Sequence, residues 1–89
     1  MTEYGIEVRV TPRRGILDPQ GKAVGGALAT LGFDGVGEVH VGRLIVFSLQ
    51  AQSEADARER VDAMCRQLLA NPVTEDYAVT VAAPAGSAS

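Results

Sequence analysis

Hydrophobic and polar residues alternate along residues 3 to 11, which read EYGIEVRVT. The apolar positions fall on one side of an extended chain: Tyr4, Ile6, Val8 and Val10. The charged positions, Glu3, Glu7 and Arg9, fall on the other side. A period of two predicts a strand with one buried face and one face in water.

The pair Asp18-Pro19 predicts the start of a helix. The carboxylate can accept hydrogen bonds from the free amides of the first turn, and proline at the first helical position loses none. Apolar residues then recur at helical spacing, at Ala23, Val24, Ala27, Leu28 and Leu31, until Gly32 predicts a left-handed stop. Three glycines inside this helix, Gly21, Gly25 and Gly26, each cost up to about 1 kcal/mol relative to alanine. The helix therefore depends on packing, and its glycines permit close approach of another backbone.

The run VGEVHVGRLIVFSLQ predicts two strands, 36–41 and 44–50, joined by a tight turn at Gly42-Arg43. One long bent strand is the alternative. The later strand is apolar on both faces, with Leu44 and Val46 on one and Ile45, Phe47 and Leu49 on the other. Since such a strand needs cover on both sides, we expect these five residues to form an interface with another copy, by sheet packing or edge pairing.

A second helix is predicted from a cap at Ser53, with Asp56 completing a near capping box. Its apolar stripe comprises Ala57, Val61, Met64, Cys65, Leu68 and Leu69, and its outer face carries acids four residues before bases. Pro72 forces the helix to stop near Ala70. Residues 77–82, YAVTVA, predict the last strand.

This order of elements predicts a ferredoxin-like α+β fold, βαββαβ, with an antiparallel sheet and both helices on one face. Residues 1–83 form one domain, and the small polar tail, residues 84–89, is expected to be disordered. A chain of 89 residues buries a thin core, so we expect an oligomer.

Composition narrows the class of protein further. A net charge of -3, with eight basic residues scattered among eleven acidic ones, argues against nucleic-acid binding. The longest apolar run, Leu44 to Phe47, is far shorter than a membrane span, and the start MTEYGIEV lacks a basic leader. One cysteine excludes an intramolecular disulfide. We expect a cytoplasmic protein that binds no membrane.

The residues capable of chemistry do not form a recognisable catalytic or metal-binding motif. His40 is the only histidine and is expected at a surface or interface, while Cys65 lies on an apolar stripe. The loop Arg13-Arg14-Gly15 could cradle an anion, but the charge of Asp18 favours a solvated or partner-facing loop. Glu75 and Asp76 are adjacent in an extended segment, so their side chains point to opposite faces. We predict no catalytic, cofactor or metal site, and interpret the chain as an assembly module.

Two stretches carry a specific resemblance: GILDPQGKAV, residues 15–24, and MCRQLLANPVTEDY, residues 64–77. With the intervening GEVHVGRLIVF, they resemble the PurS family, the small subunit of phosphoribosylformylglycinamidine synthase in purine biosynthesis. The resemblance runs from the first strand through Tyr77. It implies a non-catalytic subunit of an ATP-dependent carbon–nitrogen ligase that bridges a glutaminase subunit and a large synthetase subunit. It also implies self-association as a dimer or tetramer and help with ammonia transfer.

The resemblance also implies which residues make contacts with partners. ATP and Mg would be used by the large partner subunit, and no cofactor by this chain. The expected partner interface consists of two segments fixed by prolines: Leu17, Asp18, Pro19, Gln20 and Gly21, and Asn71, Pro72, Glu75, Asp76 and Tyr77. Two other functions remain as alternatives, a small-molecule-binding regulatory module and an acylphosphatase-like phosphatase using Arg13 or Arg14.

Overall fold

Three strands and two helices make up the computed structural model, which describes residues 1–84. In chain order they are β1 (Thr2–Pro12), α1 (Pro19–Thr30), β2 (Arg43–Ala51), α2 (Glu54–Met64) and β3 (Glu75–Pro84), and a π-helical segment, Cys65–Leu69, continues α2. The α+β class with an antiparallel sheet is confirmed. Pro84 ends β3, and the rest of the predicted tail lies outside the described residues. Within the described chain, no helix is both long and apolar enough to span a bilayer.

β1 is the central strand of the sheet, whose order is β2-β1-β3 with both neighbours antiparallel. In this register Val8 lies opposite Ile45 on one side and Val79 on the other. The alternation in β1 therefore gives one buried face, on which Ile6, Val8 and Val10 are completely inaccessible to solvent. Val61 and Cys65, from α2 and the π-helical segment, close the core over them.

The caps of α2 are those that its sequence predicts. The Ser53 hydroxyl accepts a hydrogen bond from the Asp56 amide at 3.1 Å, while the Asp56 carboxylate accepts from the Gln52 amide at 3.1 Å. The helix ends at Ala70, as expected from Pro72, but its last turn widens because the Ala70 amide donates to the Cys65 carbonyl at 3.0 Å. The sequence does not predict this π-helical turn.

Residues 36–41 are not a strand, so the predicted second strand and the alternative of one long bent strand are both wrong. The predicted hairpin at Gly42-Arg43 is absent as well. The reason is that Arg43 pairs directly with Val10 of the central strand. Gly42 passes so close to the Val10 carbonyl oxygen that a side chain would collide with it. The segment before it lies along α1.

α1 begins and ends as its sequence predicts. Gly32 has a φ of 92° and its amide donates to the Ala29 carbonyl, while the Phe33 amide donates to the Leu28 carbonyl, the pattern of a Schellman motif. The helix that packs on the sheet is α2, which contacts β2 and β3. Most of α1 is exposed, and it contacts residues 37–41 instead.

Residues 17–42, here called the arm, therefore leave the sheet after β1 and return to it at β2. The radius of gyration of 16.7 Å reflects this extension, since a compact chain of this length would have about 12 Å.

Candidate functional site

The segment from Asn71 to Tyr77 is a hydrogen-bonded turn followed by the start of β3. The Asn71 side-chain oxygen accepts a hydrogen bond from the Val73 amide at 3.0 Å, and the Asn71 backbone carbonyl accepts one from the Glu75 amide at 2.8 Å. An Asn side chain that bonds the backbone two residues on, next to proline, restricts the turn strongly. The turn is thus held in one conformation by its own hydrogen bonds.

Glu75 is held by Arg43 across the central strand. Two guanidinium nitrogens of Arg43 donate to its carboxylate oxygens at 2.8 and 3.0 Å, and one of them also donates to the Leu69 carbonyl at 2.6 Å. The Asn71 amide gives the carboxylate a further hydrogen bond at 2.7 Å. The Arg43 hydrogen bonds, followed by that of Asn71, lower the pKa of Glu75 below its ordinary value. A bidentate pair of this kind fixes geometry as well as charge.

Asp76 takes a different arginine. Arg13 Nε lies 3.2 Å from its carboxylate, and another guanidinium nitrogen donates to the Pro72 carbonyl at 2.7 Å. The Arg13 amide also donates to the Thr74 carbonyl at 2.9 Å. Because this ion pair is exposed, its value for stability is small. Its consequence is positional, since it ties the loop before the arm to the turn at Pro72.

Tyr77 completes the segment through a hydrogen bond from its hydroxyl to the Asp62 carboxylate of α2. This hydrogen bond is the main reason that the pKa of the Tyr77 phenol is raised. Asp62 also pairs with Arg66 at 2.8 Å. Nearby Cys65 is buried, and loss of hydration, with a smaller contribution from Asp62, raises the pKa of its thiol. A raised pKa disfavours the thiolate that nucleophilic chemistry requires.

The other predicted segment, Leu17 to Gly21, is organised by Asp18. One carboxylate oxygen of Asp18 accepts from the Gly21 amide at 2.9 Å, and the other accepts from the Val41 amide at 2.8 Å. These two backbone hydrogen bonds lower the pKa of Asp18, with smaller contributions from His40. Leu17, Pro19 and Gln20 are exposed.

A cleft of about 370 Å³ separates α1 from residues 37–40. Asp18, Lys22, Glu38 and His40 supply its polar lining, and Ile16, Leu17 and Val39 part of its apolar lining. His40 is mostly buried, with Nδ1 at 3.5 Å from Asp18 and Nε2 at 3.3 Å from Glu38. Among the described residues, no group of three or more His, Cys, Asp or Glu is arranged to hold a metal ion.

The structure thus brings each predicted segment together with residues that the sequence does not link to it. Arg13 and Arg43 hold the second segment, and residues 39–41 hold the first. The sequence signal for these contacts is weak, because Arg43 and Glu75 lie on different strands. They are brought together only by the register with which both strands pair with β1. Arg13 is engaged by protein groups, which leaves the phosphatase alternative without a free arginine at that position.

The five residues predicted to meet another copy divide between the two sheet faces. Ile45, Phe47 and Leu49 lie beside the core and are half-buried. Leu44 and Val46 lie on the opposite face, 57% and 65% exposed.

These features define a small α+β protein whose conspicuous polar side chains form ion pairs with one another or hydrogen bonds that fix turns. The family model for PurS, described as phosphoribosylformylglycinamidine (FGAM) synthase, matches residues 5–83. A PurS subunit from Synechocystis is 44% identical over 94% of this chain and 84% of its own length, and one from Bacillus subtilis is 38% identical over 83% of this chain and 87% of its own.

Solved structures agree with this match. PurS from Methanocaldococcus jannaschii superimposes with a TM-score of 0.75 at 37% identity, covering 88% of this chain and 94% of that one. PurLQS from Thermotoga maritima includes a chain with a TM-score of 0.82 at 28% identity, covering 91% of this chain and 99% of that one. The chain belongs to the PurS family, whose members are subunits of FGAM synthase in purine biosynthesis. The resemblance inferred from the sequence is confirmed.

Proposed function

We propose that this chain is a non-catalytic bridging subunit that assembles the glutaminase and synthetase subunits of its complex. The observation that carries the proposal is its likeness, over nearly its whole length, to a chain of PurLQS from Thermotoga maritima. The Methanocaldococcus jannaschii relative is likewise described as one of the subunits of formylglycinamide ribonucleotide amidotransferase.

The chemistry of the described residues supports a role without bond making. Glu75 and Asp76 are each paired with an arginine, and the Cys65 thiol is buried with a raised pKa. ATP, Mg and substrate would then be handled by the large partner, and ammonia released by the glutaminase would be passed on within the assembly. We propose a cytoplasmic location for the complex, as expected for a subunit of a purine-biosynthesis enzyme.

The turn at residues 71–77 is the surface that we assign to a partner subunit. It is ordered in advance by Arg13 and Arg43, so that docking costs little conformational entropy. Val73, at the tip of the turn, is 75% exposed and offers an apolar contact. The start of the arm, Leu17 to Gly21, is the second such surface, with Leu17 also 75% exposed.

Reconstitution tests the proposal directly. Glutaminase and synthetase subunits are mixed with and without this chain, and amidine formation is measured with glutamine and then with ammonia. We expect omission of the chain to abolish glutamine use and to leave ammonia use intact. Equal glutamine-dependent rates with and without the chain would refute the bridging role.

A pair of charge reversals locates the surface. Asp76→Lys removes the partner of Arg13 and should weaken complex formation in size-exclusion chromatography at least tenfold. Glu59→Lys makes the same change of charge on the exposed side of α2 and should leave the complex unchanged. If both variants assemble as well as the wild type, the turn is not the surface that binds a partner subunit.

The cleft beside α1 is the observation that favours the second candidate, a small-molecule regulatory role. Its volume of about 370 Å³ lies within the range of ligand pockets. Thermal stabilisation of the isolated chain by an amino acid or a nucleotide would support it, and unchanged melting temperatures across such a panel would remove it.

A further inference from the structure

The cleft beside α1 carries charged groups of opposite sign on its two walls. Lys22 lines it from α1 and Glu38 from the facing segment. Lys22 is the only lysine of the chain, and the ion pairs formed within residues 1–84 do not include it. The Glu38 side chain is 70% exposed, with its carboxylate 3.3 Å from Nε2 of His40. One positive and one negative group are therefore available to a ligand.

The third charged group of the lining, Asp18, is already engaged. Its carboxylate oxygens accept hydrogen bonds from the Gly21 and Val41 amides at 2.9 and 2.8 Å. His40 lies between Asp18 and Glu38, and its ring nitrogens are buried without a hydrogen bond to any described residue. The ring thus separates the two carboxylates and keeps Glu38 beside the cleft.

This arrangement of charge disfavours a phosphate ligand. The start of a helix can bind an anion through its free amides, but the Gly21 amide at the start of α1 is used by Asp18. The lining also sets two carboxylates, Asp18 and Glu38, against the single ammonium of Lys22. Phosphate groups would be repelled by both carboxylates. A ligand with one negative and one positive group matches the available pair instead.

The rest of the lining is apolar and contains little side-chain bulk. Ile16, Leu17 and Val39 contribute the apolar side chains, and Leu17 is 75% exposed. Gly26 and Gly37 also line the cleft, and a Cβ atom at either position would meet nothing within 4 Å. The cleft is therefore open because these positions lack side chains. A short aliphatic chain placed there would be removed from water, which is favourable.

We propose that the cleft binds a free α-amino acid with an aliphatic side chain. Lys22 pairs with the carboxylate of the ligand and Glu38 with its ammonium group, while Ile16, Leu17 and Val39 contact its side chain. Charge-assisted hydrogen bonds at both ends fix the orientation of the ligand. This inference rests on the second candidate function, the regulatory role, and names its class of ligand. It is independent of the bridging role.

The bound amino acid would join the two walls of the cleft and so stabilise the arm. A ligand that binds only the closed arrangement lowers the population of the open one by a factor of 1 + [L]/Kd, which is about tenfold at ten times Kd. The Val41 amide reports this opening, because its hydrogen bond to Asp18 connects the two walls. Its hydrogen exchange should slow by about the same factor.

Titration of the isotope-labelled full chain with L-leucine, followed by nuclear magnetic resonance, tests the proposal. We expect saturable shifts of the Gly25 and Val39 amides and the slower exchange of the Val41 amide. Isocaproate lacks the ammonium group of leucine, and isopentylamine lacks its carboxylate. Each should bind about tenfold more weakly, since it loses one hydrogen-bonded ion pair. Equal affinities for the three compounds, or no saturable shift with leucine, would overturn the proposal.

Two variants assign the charged groups. Lys22→Gln should weaken leucine binding about tenfold and leave isopentylamine binding unchanged, whereas Glu38→Gln should weaken leucine binding equally and leave isocaproate binding unchanged. Glu59→Gln makes the same change as Glu38→Gln on the exposed side of α2 and should leave leucine binding unchanged. This crossed pattern cannot arise from a general loss of folding. If both variants lose all three ligands equally, Lys22 and Glu38 do not pair with the ends of the ligand, and the proposal fails.

The same titration separates this proposal from the functions on which it touches. Saturable shifts in the cleft with a nucleotide but not with leucine would overturn the amino-acid assignment and leave the regulatory candidate standing. Failure of every amino acid and nucleotide to bind would remove both. Neither result changes the outcome of the reconstitution with glutaminase and synthetase subunits, which tests the bridging role alone.

Discussion

Gly21 offers the sharpest test of how the arm is built. A methyl group built there would lie 2.9 Å from the Val39 carbonyl carbon, closer still to its oxygen, and 2.8 Å from the Asp18 carboxylate. Carbon atoms in contact prefer a separation of about 3.5 Å or more. Gly21→Ala must therefore displace Val39 and disturb the bond between Asp18 and Val41. Overpacking of this size costs about 1–3 kcal/mol.

Gly26→Ala is the matched control, because it makes the same change in the same helix. A methyl group at Gly26 meets nothing within 4 Å. The helix then gains about 1 kcal/mol from the better propensity of alanine. The two variants should thus shift the local stability of the arm in opposite directions.

Amide hydrogen exchange of the arm measures this difference. The Val41 amide is the reporter, since its hydrogen bond to Asp18 depends on the distance that Gly21 permits. In Gly21→Ala its exchange should accelerate by about 5- to 150-fold, the equivalent of the overpacking cost. In Gly26→Ala, amides of α1 should exchange several-fold more slowly. If Gly21→Ala protects the arm as well as Gly26→Ala does, α1 does not approach Val39 as closely as described.

Two further predictions concern the turn at residues 71–77 and the core under the sheet. Glu75→Gln should lower the free energy of unfolding at pH 7. The pKa of Glu75 in the folded chain lies below its ordinary value of 4.5, so the charged carboxylate stabilises the fold above pH 4.5 and this stabilisation is lost as the pH falls through the folded pKa. The difference between wild type and variant should therefore shrink in acid. Urea midpoints between pH 7 and 3 measure this, with Glu59→Gln as the control, and a constant deficit would contradict it. Val61→Ala should cost about 1–3 kcal/mol in urea unfolding, whereas Val73→Ala, on a side chain 75% exposed, should change stability by less than about 0.5 kcal/mol. Equal losses would mean that Val61 is not in the core.

Local signals in the sequence predicted local structure well. The Asp18 and Ser53 caps, the stop at Gly32 and the end at Ala70 each depend on a few neighbouring residues, and each is found where the pattern places it. The alternation of β1 gave its buried face for the same reason. Such features need no knowledge of distant contacts.

Residues 36–41 show where this reasoning fails. Their alternation is that of a strand, but a strand also needs a neighbour to accept its hydrogen bonds, and none of the three strands among residues 1–84 pairs with them. The arginine pairs failed for a related reason. Arg43 and Glu75 are 32 positions apart, and only the joint register of β2 and β3 on β1 brings them together.

The turn at residues 71–77 and the arm are mechanically linked, because the arm joins the sheet at two points and this turn touches both. Arg13, before the arm, bonds to Pro72, Thr74 and Asp76. Arg43, after the arm, bonds to Glu75 and Leu69. A displacement of the turn must therefore shift the base of the arm as well. Arg43→Ala should therefore loosen both the turn and the base of the arm, seen as faster exchange of the Glu75 and Val41 amides, whereas Arg58→Ala, which removes an exposed arginine paired with Glu54, should alter neither.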